Sequence, residues 1–488
     1  MDSIPFSGRP TTEQESLLPK KGSEKKIEIQ GEDNQAAALP FTPISVIFSS
    51  HDSSSFALLH PERHNVDKFI VHGGRSLNGT VRASGAKNAS LALMPATLLA
   101  PGTYKLHRTP QLRDVTTMSR LLETLGLKIA RVDDALHIDS STVTSFEAPY
   151  EHVKKMRASI YVLGPLVGRF GQADVSLPGG CAWGPRPVNL HIEGLRKLGA
   201  QIDVEGGYIR AKAKRLHGAR IVFDVSSVGA TGNVMMAAVL AQGTTVIDNA
   251  AMEPEIAALG ELLLKMGARI QGVGTNHLEI EGVDALHPAD FVTIPDRIET
   301  GTLLVAAAIA GKKDGKVRVE GCNPAHLSAI TTKLEDVGAR LTLGKDFIEI
   351  VPPEVIRPVN VTTSIYSGFP TDMQAQWIAL MSLARGASIV TETIYFDRFM
   401  HVPELVRLGA NITIKENIAT VVGVDRLTGA KVMSTDLRAS ASLILAGLAA
   451  EGETEVLRVY HLDRGYECIE QKLSQLGAHI ERVSSEEF

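Results

Sequence analysis

The stretch Leu195-Arg196-Lys197-Leu198-Gly199-Ala200-Gln201-Ile202 decides how this chain folds. An amphipathic run ends at Leu198, a glycine follows, and apolar residues then alternate. The same juncture returns as Leu125-Gly126-Leu127, Met266-Gly267-Ala268, Val337-Gly338-Ala339, Leu408-Gly409-Ala410 and Leu476-Gly477-Ala478. The glycine-to-glycine spacings are 73, 68, 71, 71 and 68 residues, so one unit of nearly constant length is repeated six times. A glycine placed there fits the residue just past a helix end, where φ must be positive.

A second signature runs in the same phase. It is an Ala-rich run, apolar on nearly every side, followed by a Val/Ile-rich strand. Its copies start near Ala86, Arg157, Ala230, Glu299, Asp372 and Arg438. A helix apolar all round is a buried helix. The amphipathic partner, such as Glu193 to Leu198, then covers it from outside. Each unit therefore reads as two helices interleaved with short strands. The break at Pro295-Asp296-Arg297 predicts three units on either side of residues 295–300. This is α/β, but neither a Gly-x-Gly-x-x-Gly turn nor a Walker loop is present.

Composition narrows the function. The 488 residues carry a net charge of −5 and only 5% aromatics, so no basic stripe or stacking platform for nucleic acid is expected. Three cysteines rule out a disulfide framework and fit a reducing, cytoplasmic setting. No apolar run reaches the ~20 residues of a membrane helix, and no secretory signal opens the chain. Residues 1–65 are rich in Ser, Glu, Lys, Gln and Pro and are expected to be disordered. Asp2, Glu13 and Glu15 argue against a transit peptide.

The polar residues of interest gather at the starts of the buried helices. They are Lys87 and Asn88, Arg157, Thr231 and Asn233, Glu299 and Thr300, Asp372, then Asp436 and Arg438. Helix starts converging on one face favour an anionic ligand. Asp372 and Asp436 also read as ordinary caps. Lys87, Arg157 and Arg438 do not: a cation opposes the dipole there and needs an anion, either bound or supplied by a neighbouring carboxylate. The loop Leu177-Pro178-Gly179-Gly180-Cys181-Ala182-Trp183-Gly184-Pro185-Arg186-Pro187 sets one cysteine among glycines and prolines, where Arg186 would favour its thiolate. A lone loop cysteine can equally be inert. Cys322 and Cys468 read as packing residues, and the spacing of the three offers no metal site. In Pro370-Thr371-Asp372-Met373-Gln374 a carboxylate opens a helix and can act as a general base. His461-Leu462-Asp463-Arg464-Gly465-Tyr466-Glu467 reads, at its plainest, as a surface Asp–Arg pair.

Together, Gly85-Ala86-Lys87-Asn88-Ala89, the glycine-flanked Cys181 with Arg186-Pro187-Val188, Pro370-Thr371-Asp372-Met373-Gln374 and Asp463-Arg464-Gly465-Tyr466-Glu467 resemble the enolpyruvyl transferases, in the branch acting on UDP-N-acetylglucosamine. The resemblance runs from about Val66 to Arg482. It implies a two-domain inside-out α/β barrel of six βαβαββ repeats, three per domain. Residues 87–295 would form one domain, and 66–86 with 296–488 the other. It implies transfer of the enolpyruvyl group of phosphoenolpyruvate to the 3′-hydroxyl of the sugar nucleotide with release of phosphate, the first committed step of peptidoglycan synthesis. No cofactor, metal or protein partner is implied.

By the same resemblance Cys181 is the general acid and Asp372 the base, while Lys87, Arg186 and Arg464 hold phosphoenolpyruvate. Asn88 neighbours both substrates. Arg157 and the run Arg186, Pro187, Val188, Asn189 and Leu190 meet the uridine diphosphate. Ser227, Val228 and Gly229 meet the diphosphate, Ile394 the sugar, and Asp436 and Arg438 tune the site. Three positions depart from the family pattern. Asn189 stands where Asp is common, Val225 where some members carry Lys, and Trp183 where a small aliphatic residue is usual. A sister transferase with another acceptor, such as shikimate 3-phosphate, and a non-catalytic sugar-nucleotide-binding paralogue stand as alternatives; a repeat scaffold fits the helix-start cations least.

Overall fold

A computed structural model describes residues 65–178, 188–311 and 315–486. Residues 1–64, for which disorder was expected, lie outside the described residues. So do residues 179–187, with Cys181, Trp183, Arg186 and Pro187. All six repeat glycines, Gly126, Gly199, Gly267, Gly338, Gly409 and Gly477, have φ between 94° and 111°. A Cβ there would strain the backbone, which is why the juncture is spelled with glycine each time.

The described residues form six four-stranded sheets with one strand order. In one of them, Arg220–Val222 pairs parallel with Thr244–Asp248. That strand pairs antiparallel with His277–Glu281, which pairs antiparallel with Arg269–Gln271. The helix Val228–Ala238 makes the first crossover and Pro254–Lys265 the second. This is the βαβαββ unit that the resemblance implied, in an enolpyruvyl-transferase-like α/β arrangement. The first helix is buried along its length from Ala230, as its Gly/Ala/Met/Val composition demands.

Three units do not follow simple chain order. The first sheet borrows its leading strand from Phe291–Val292, which pairs parallel with Thr103–His107. The fourth borrows Gly79–Arg82, which pairs parallel with Val317–Glu320. The sixth takes Asn65–His72 where the other sheets use a hairpin strand; it pairs antiparallel with both Glu453–Leu457 and His479–Glu486. Two separate hydrophobic cores result. One gathers apolar side chains from Ala86 to Phe291, and the other joins Phe69–Ala83 with Ile298–Ile480.

The chain crosses between the cores twice, and the two crossings are hydrogen-bonded to each other. Ala86 N–H donates to Ile294 O at 2.7 Å, and Asp296 N–H to Ser84 O at 2.9 Å. Glu299, read from sequence as a helix-start polar group facing a ligand, is instead used here. It accepts from Lys472 Nζ at 2.6 Å and from Ser84 N–H at 2.6 Å. Thr300 bonds back to Asp296 O at 2.8 Å within its own helix. Both fasten the crossover.

Candidate active site

The crossings bring helix starts from different repeats to one place, and Asp296 is the knot. It caps the helix Arg297–Ala310: Oδ1 accepts from the Ile298 and Glu299 amides, each at 2.9 Å. Its Oδ2 accepts from Lys87 N–H at 3.2 Å and from Arg438 Nη2 at 3.0 Å. One cap carboxylate therefore ties the first, fourth and sixth repeats.

Arg438 is buried. It donates through Nη1 to Gly465 O at 2.8 Å, lies 4.9 Å over the Tyr466 ring, and puts Nε 3.9 Å from Asp372 Oδ2. Burial alone would lower its pKa, but Asp296, Tyr466 and Asp372 together raise it, so the cation is fixed. Asp372 sits in the 3-10 turn Thr371–Met373, and its Oδ1 accepts from Arg398 Nη1 at 2.8 Å. Burial would raise its pKa. Arg398, Arg438 and Lys87 outweigh burial and hold the carboxyl well below the usual range. Arg398 also donates to Thr371 Oγ1 at 3.0 Å and lies 3.7 Å from Asp436 Oδ2. Asp436 braces the turn that leads into the last buried helix, with Oδ1 accepting from the Arg438 and Ala439 amides at 2.6 and 2.7 Å.

Lys87 opens the helix Lys87–Ala96 with no side-chain cap before it. Its Nζ lies 3.5 Å from Asp114 Oδ2, and the other oxygen of Asp114 accepts from Arg464 Nε at 2.8 Å. Burial lowers the Lys87 pKa, with Asp114 and Asp372 opposing and Arg438 and Arg464 adding to the fall. The anions that Lys87 and Arg438 require are thus neighbouring carboxylates, Asp114 and Asp296. Arg464 pairs with Asp114 and not with Asp463, the partner its sequence neighbourhood suggested. Asp463 takes Arg482 Nη2 on both oxygens, at 2.7 and 2.6 Å.

A second group lies beside this lattice. Arg157 Nη1, from the part of the chain that builds the first core, donates to Tyr395 Oη at 3.3 Å in the part that builds the second, next to exposed Ile394. Val188 is the N-cap of the helix Asn189–Lys197, which Asn189 and Leu190 open. A Cβ added at Gly229 would lie 3.0 Å from the His191 ring on that helix, so the Ser227–Gly229 segment packs closely against it. Ser227 Oγ caps its own helix by accepting from Ala230 N–H at 3.3 Å. Burial, aided by Arg157, drives His191 down to about 3, so it stays neutral while Nδ1 meets Asn233 Nδ2 at 2.7 Å. Asn233 and Thr231 are structural pins: Asn233 Oδ1 takes Gly164 N–H at 2.7 Å, and Thr231 Oγ1 takes Ala251 N–H at 3.0 Å. Asn88 is half-buried beside Lys87.

The structure therefore brings Lys87, Asp372, Asp436, Arg438 and Arg464 into one ion lattice. Cys181, Arg186 and Pro187 lie outside the described residues. Sequence reasoning missed Asp114, Asp296 and Arg398 as members. Only Asp296 left a signal, as the break before the fourth helix. Cys322 is buried as expected. Cys468 is not the packing residue predicted; it is exposed, at the N-cap of Ile469–Gln475 with φ 45°.

The sequence pattern of the EPSP synthase (3-phosphoshikimate 1-carboxyvinyltransferase) family matches residues 71–473. A UDP-N-acetylglucosamine 1-carboxyvinyltransferase of Chloroherpeton thalassium is 59% identical over 426 residues, 87% of this chain and 99% of that protein. One from Trichlorobacter lovleyi is 53% identical over 420 residues, 86% of this chain and all of its own length. Among solved structures, the enolpyruvyl transferase NikO from Streptomyces tendae superposes with a TM-score of 0.78 at 26% identity, covering 86% of this chain and all of that one. An EPSP synthase from Acinetobacter baumannii, at 18% identity and a TM-score of 0.66 over 86% of this chain and all of its own, shares the fold.

Proposed function

The chain belongs to the EPSP synthase family of enolpyruvyl transferases, and from that premise we propose that its catalytic centre is the buried lattice of Lys87, Asp372, Arg398, Arg438 and Arg464, completed by Cys181. Its reaction is that of its close relatives, transfer of the enolpyruvyl group from phosphoenolpyruvate to the 3′-hydroxyl of UDP-N-acetylglucosamine, releasing phosphate. That is a transferase step in peptidoglycan synthesis on two small-molecule substrates. No described helix is long and apolar enough to cross a membrane. We place the enzyme in the cytoplasm, which fits the redox reading of its cysteines.

The observation that carries the site is the sharing of carboxylates among cations. Phosphoenolpyruvate brings about three negative charges, and guanidinium groups suit such anions through charge-assisted, often bidentate bonds. Lys87 and Arg464 face Asp114, and Arg438 faces Asp296. An incoming phosphate and carboxylate would take over part of that coordination. The same exchange bears on Asp372. A carboxylate held low by Arg398, Arg438 and Lys87 is a weak base. Once those cations face substrate anions, its proton affinity rises and it can accept the 3′-hydroxyl proton.

In this reading the sugar oxygen bonds to C2 of phosphoenolpyruvate as Cys181 gives a proton to C3. Asp372 takes the hydroxyl proton. The tetrahedral adduct then loses phosphate from C2, which takes the proton held by Asp372, while the C3 proton returns to the Cys181 thiolate, leaving the enol ether. Arg157, Arg186 to Leu190, Ser227 to Gly229 and Ile394 would hold the sugar nucleotide, with Asn88 between the two substrates and Asp436 and Arg438 tuning the site. We take the two cores as two lobes that approach each other on substrate binding.

The test is phosphate release from phosphoenolpyruvate with UDP-N-acetylglucosamine or shikimate 3-phosphate as acceptor, on the full chain and on one beginning near Val66. Release only with shikimate 3-phosphate would overturn the acceptor. Full turnover in a Lys87→Ala or Asp372→Ala variant would overturn the site.

A further inference from the structure

On the sheet completed by Asn65–His72, four side chains share one face. His72 stands opposite His479 on one neighbouring strand and opposite Glu453 on the other. Glu481, two residues beyond His479, points the same way. The two imidazole rings stack with centroids 4.1 Å apart. His479 Nε2 lies 3.1 Å from Glu481 Oε1, and His72 Nδ1 lies 3.7 Å from Glu453 Oε2. Ligand atoms of His72, His479 and Glu481 all fall within 4.8 Å of one another.

We propose that His72, His479 and Glu481 form a binding site for a divalent transition-metal ion of the Zn²⁺ class, with Glu453 as a flanking carboxylate. Bonds of about 2.0–2.1 Å in a tetrahedral shell need ligand atoms roughly 3.3 Å apart, which small side-chain rotations supply from the separations present. Two imidazoles with a carboxylate select Zn²⁺, Ni²⁺ or Cu²⁺ over Ca²⁺ and Mg²⁺, which want oxygen shells. Two carboxylates flank the pair, matching the charge of a dication. The bound ion would bridge Asn65–His72 to His479–Glu486. These strands come from opposite ends of the described chain, so no local spacing could announce the site.

The experiment is a Zn²⁺ titration of the full chain against a chromophoric chelator, compared with His72→Ala, His479→Ala and the double variant. One equivalent should bind to the unmodified protein, roughly tenfold or more weakly to each single variant, with no competition by Ca²⁺. Turnover should be unchanged in the variants. Equal Zn²⁺ uptake by the unmodified protein and the double variant overturns the site. If the alanine variants lose their folded spectrum, carbethoxylation of the unmodified protein decides. Zn²⁺ protecting His72 and His479 supports the site, and equal modification with and without Zn²⁺ overturns it.

Discussion

Replacing Asp114 by Asn should leave two cations facing each other across a site that has lost its anion. Asp114 is buried, 3.5 Å from Lys87 and 2.8 Å from Arg464. At an effective dielectric of ~20, each contact is worth about 5 kcal/mol of gross attraction. Arg464 is partly exposed, so much of its share is screened. Lys87 is buried, and breaking a buried pair by removing one partner costs roughly 3–5 kcal/mol. Taking roughly 3 kcal/mol, the melting temperature should fall by about 6–12 °C if the affected core unfolds as a unit of some 200 residues. The sharper readout is anion rescue. Because phosphate can replace the missing negative charge, inorganic phosphate or phosphoenolpyruvate should raise the melting temperature of Asp114→Asn by more than it raises that of the unmodified protein. Scanning fluorimetry over a phosphate series measures both slopes. Equal melting temperatures and equal phosphate shifts would refute the view that Asp114 holds the place of a substrate anion.

Three further outcomes are expected. Arg398→Gln removes the strongest cation from Asp372, so its carboxyl should titrate closer to the ordinary range and the acid limb of the rate profile should move to higher pH. The sign is fixed by the depressed folded pKa: the stability Asp372 contributes is present above about pH 4, its unfolded value, and is lost only as pH falls toward the folded value, so acid unfolding should begin at higher pH in the variant. Cys181→Ser should fold normally yet lose roughly 100-fold or more in turnover as a general acid is removed, and an electrophilic phosphonate such as fosfomycin should add to Cys181 of the unmodified protein but not to the variant, as read by mass spectrometry. Phe69, fully buried on the strand that closes the sixth sheet, should cost about 3–5 kcal/mol when cut to Ala, whereas a chain beginning near Val66 should keep its denaturation midpoint.

The repeat was legible because one backbone requirement, positive φ after a helix, admits essentially one residue type. Gly126, Gly199, Gly267, Gly338, Gly409 and Gly477 therefore marked every unit. Lys87 and Arg438 were legible because a cation at a helix start contradicts local electrostatics and so announces a partner elsewhere. Asp114 was silent, and Asp296 showed only as a break before its helix, for the opposite reason. An acid in the first turn of Arg113–Thr124 or before Arg297–Ala310 satisfies local rules, and nothing local says that it also serves a distant cation. Arg398 sits in a short irregular stretch with no periodicity to place it. The Asp463–Arg464 pairing failed because adjacent residues need not face each other: Arg464 reaches Asp114 and Asp463 reaches Arg482. Cys468 was misjudged because an amphipathic pattern does not say which residue stands just outside the helix.

The borrowed strands set an order of events during synthesis. The core spanning Ala86 to Phe291 is complete once Phe291–Val292 leaves the ribosome, since every strand it needs has by then emerged. The other core cannot be. Asn65–His72 appears early, but both its neighbours, Glu453–Leu457 and His479–Glu486, are translated near the end. At about 5–20 residues per second, that strand must wait tens of seconds with Phe69 and Val71 exposed. Chaperone dependence should therefore concentrate on the earliest-made of the described strands, and nascent chains long enough for Phe291–Val292 to have cleared the exit tunnel should protect the first core from protease while leaving that strand open to cleavage.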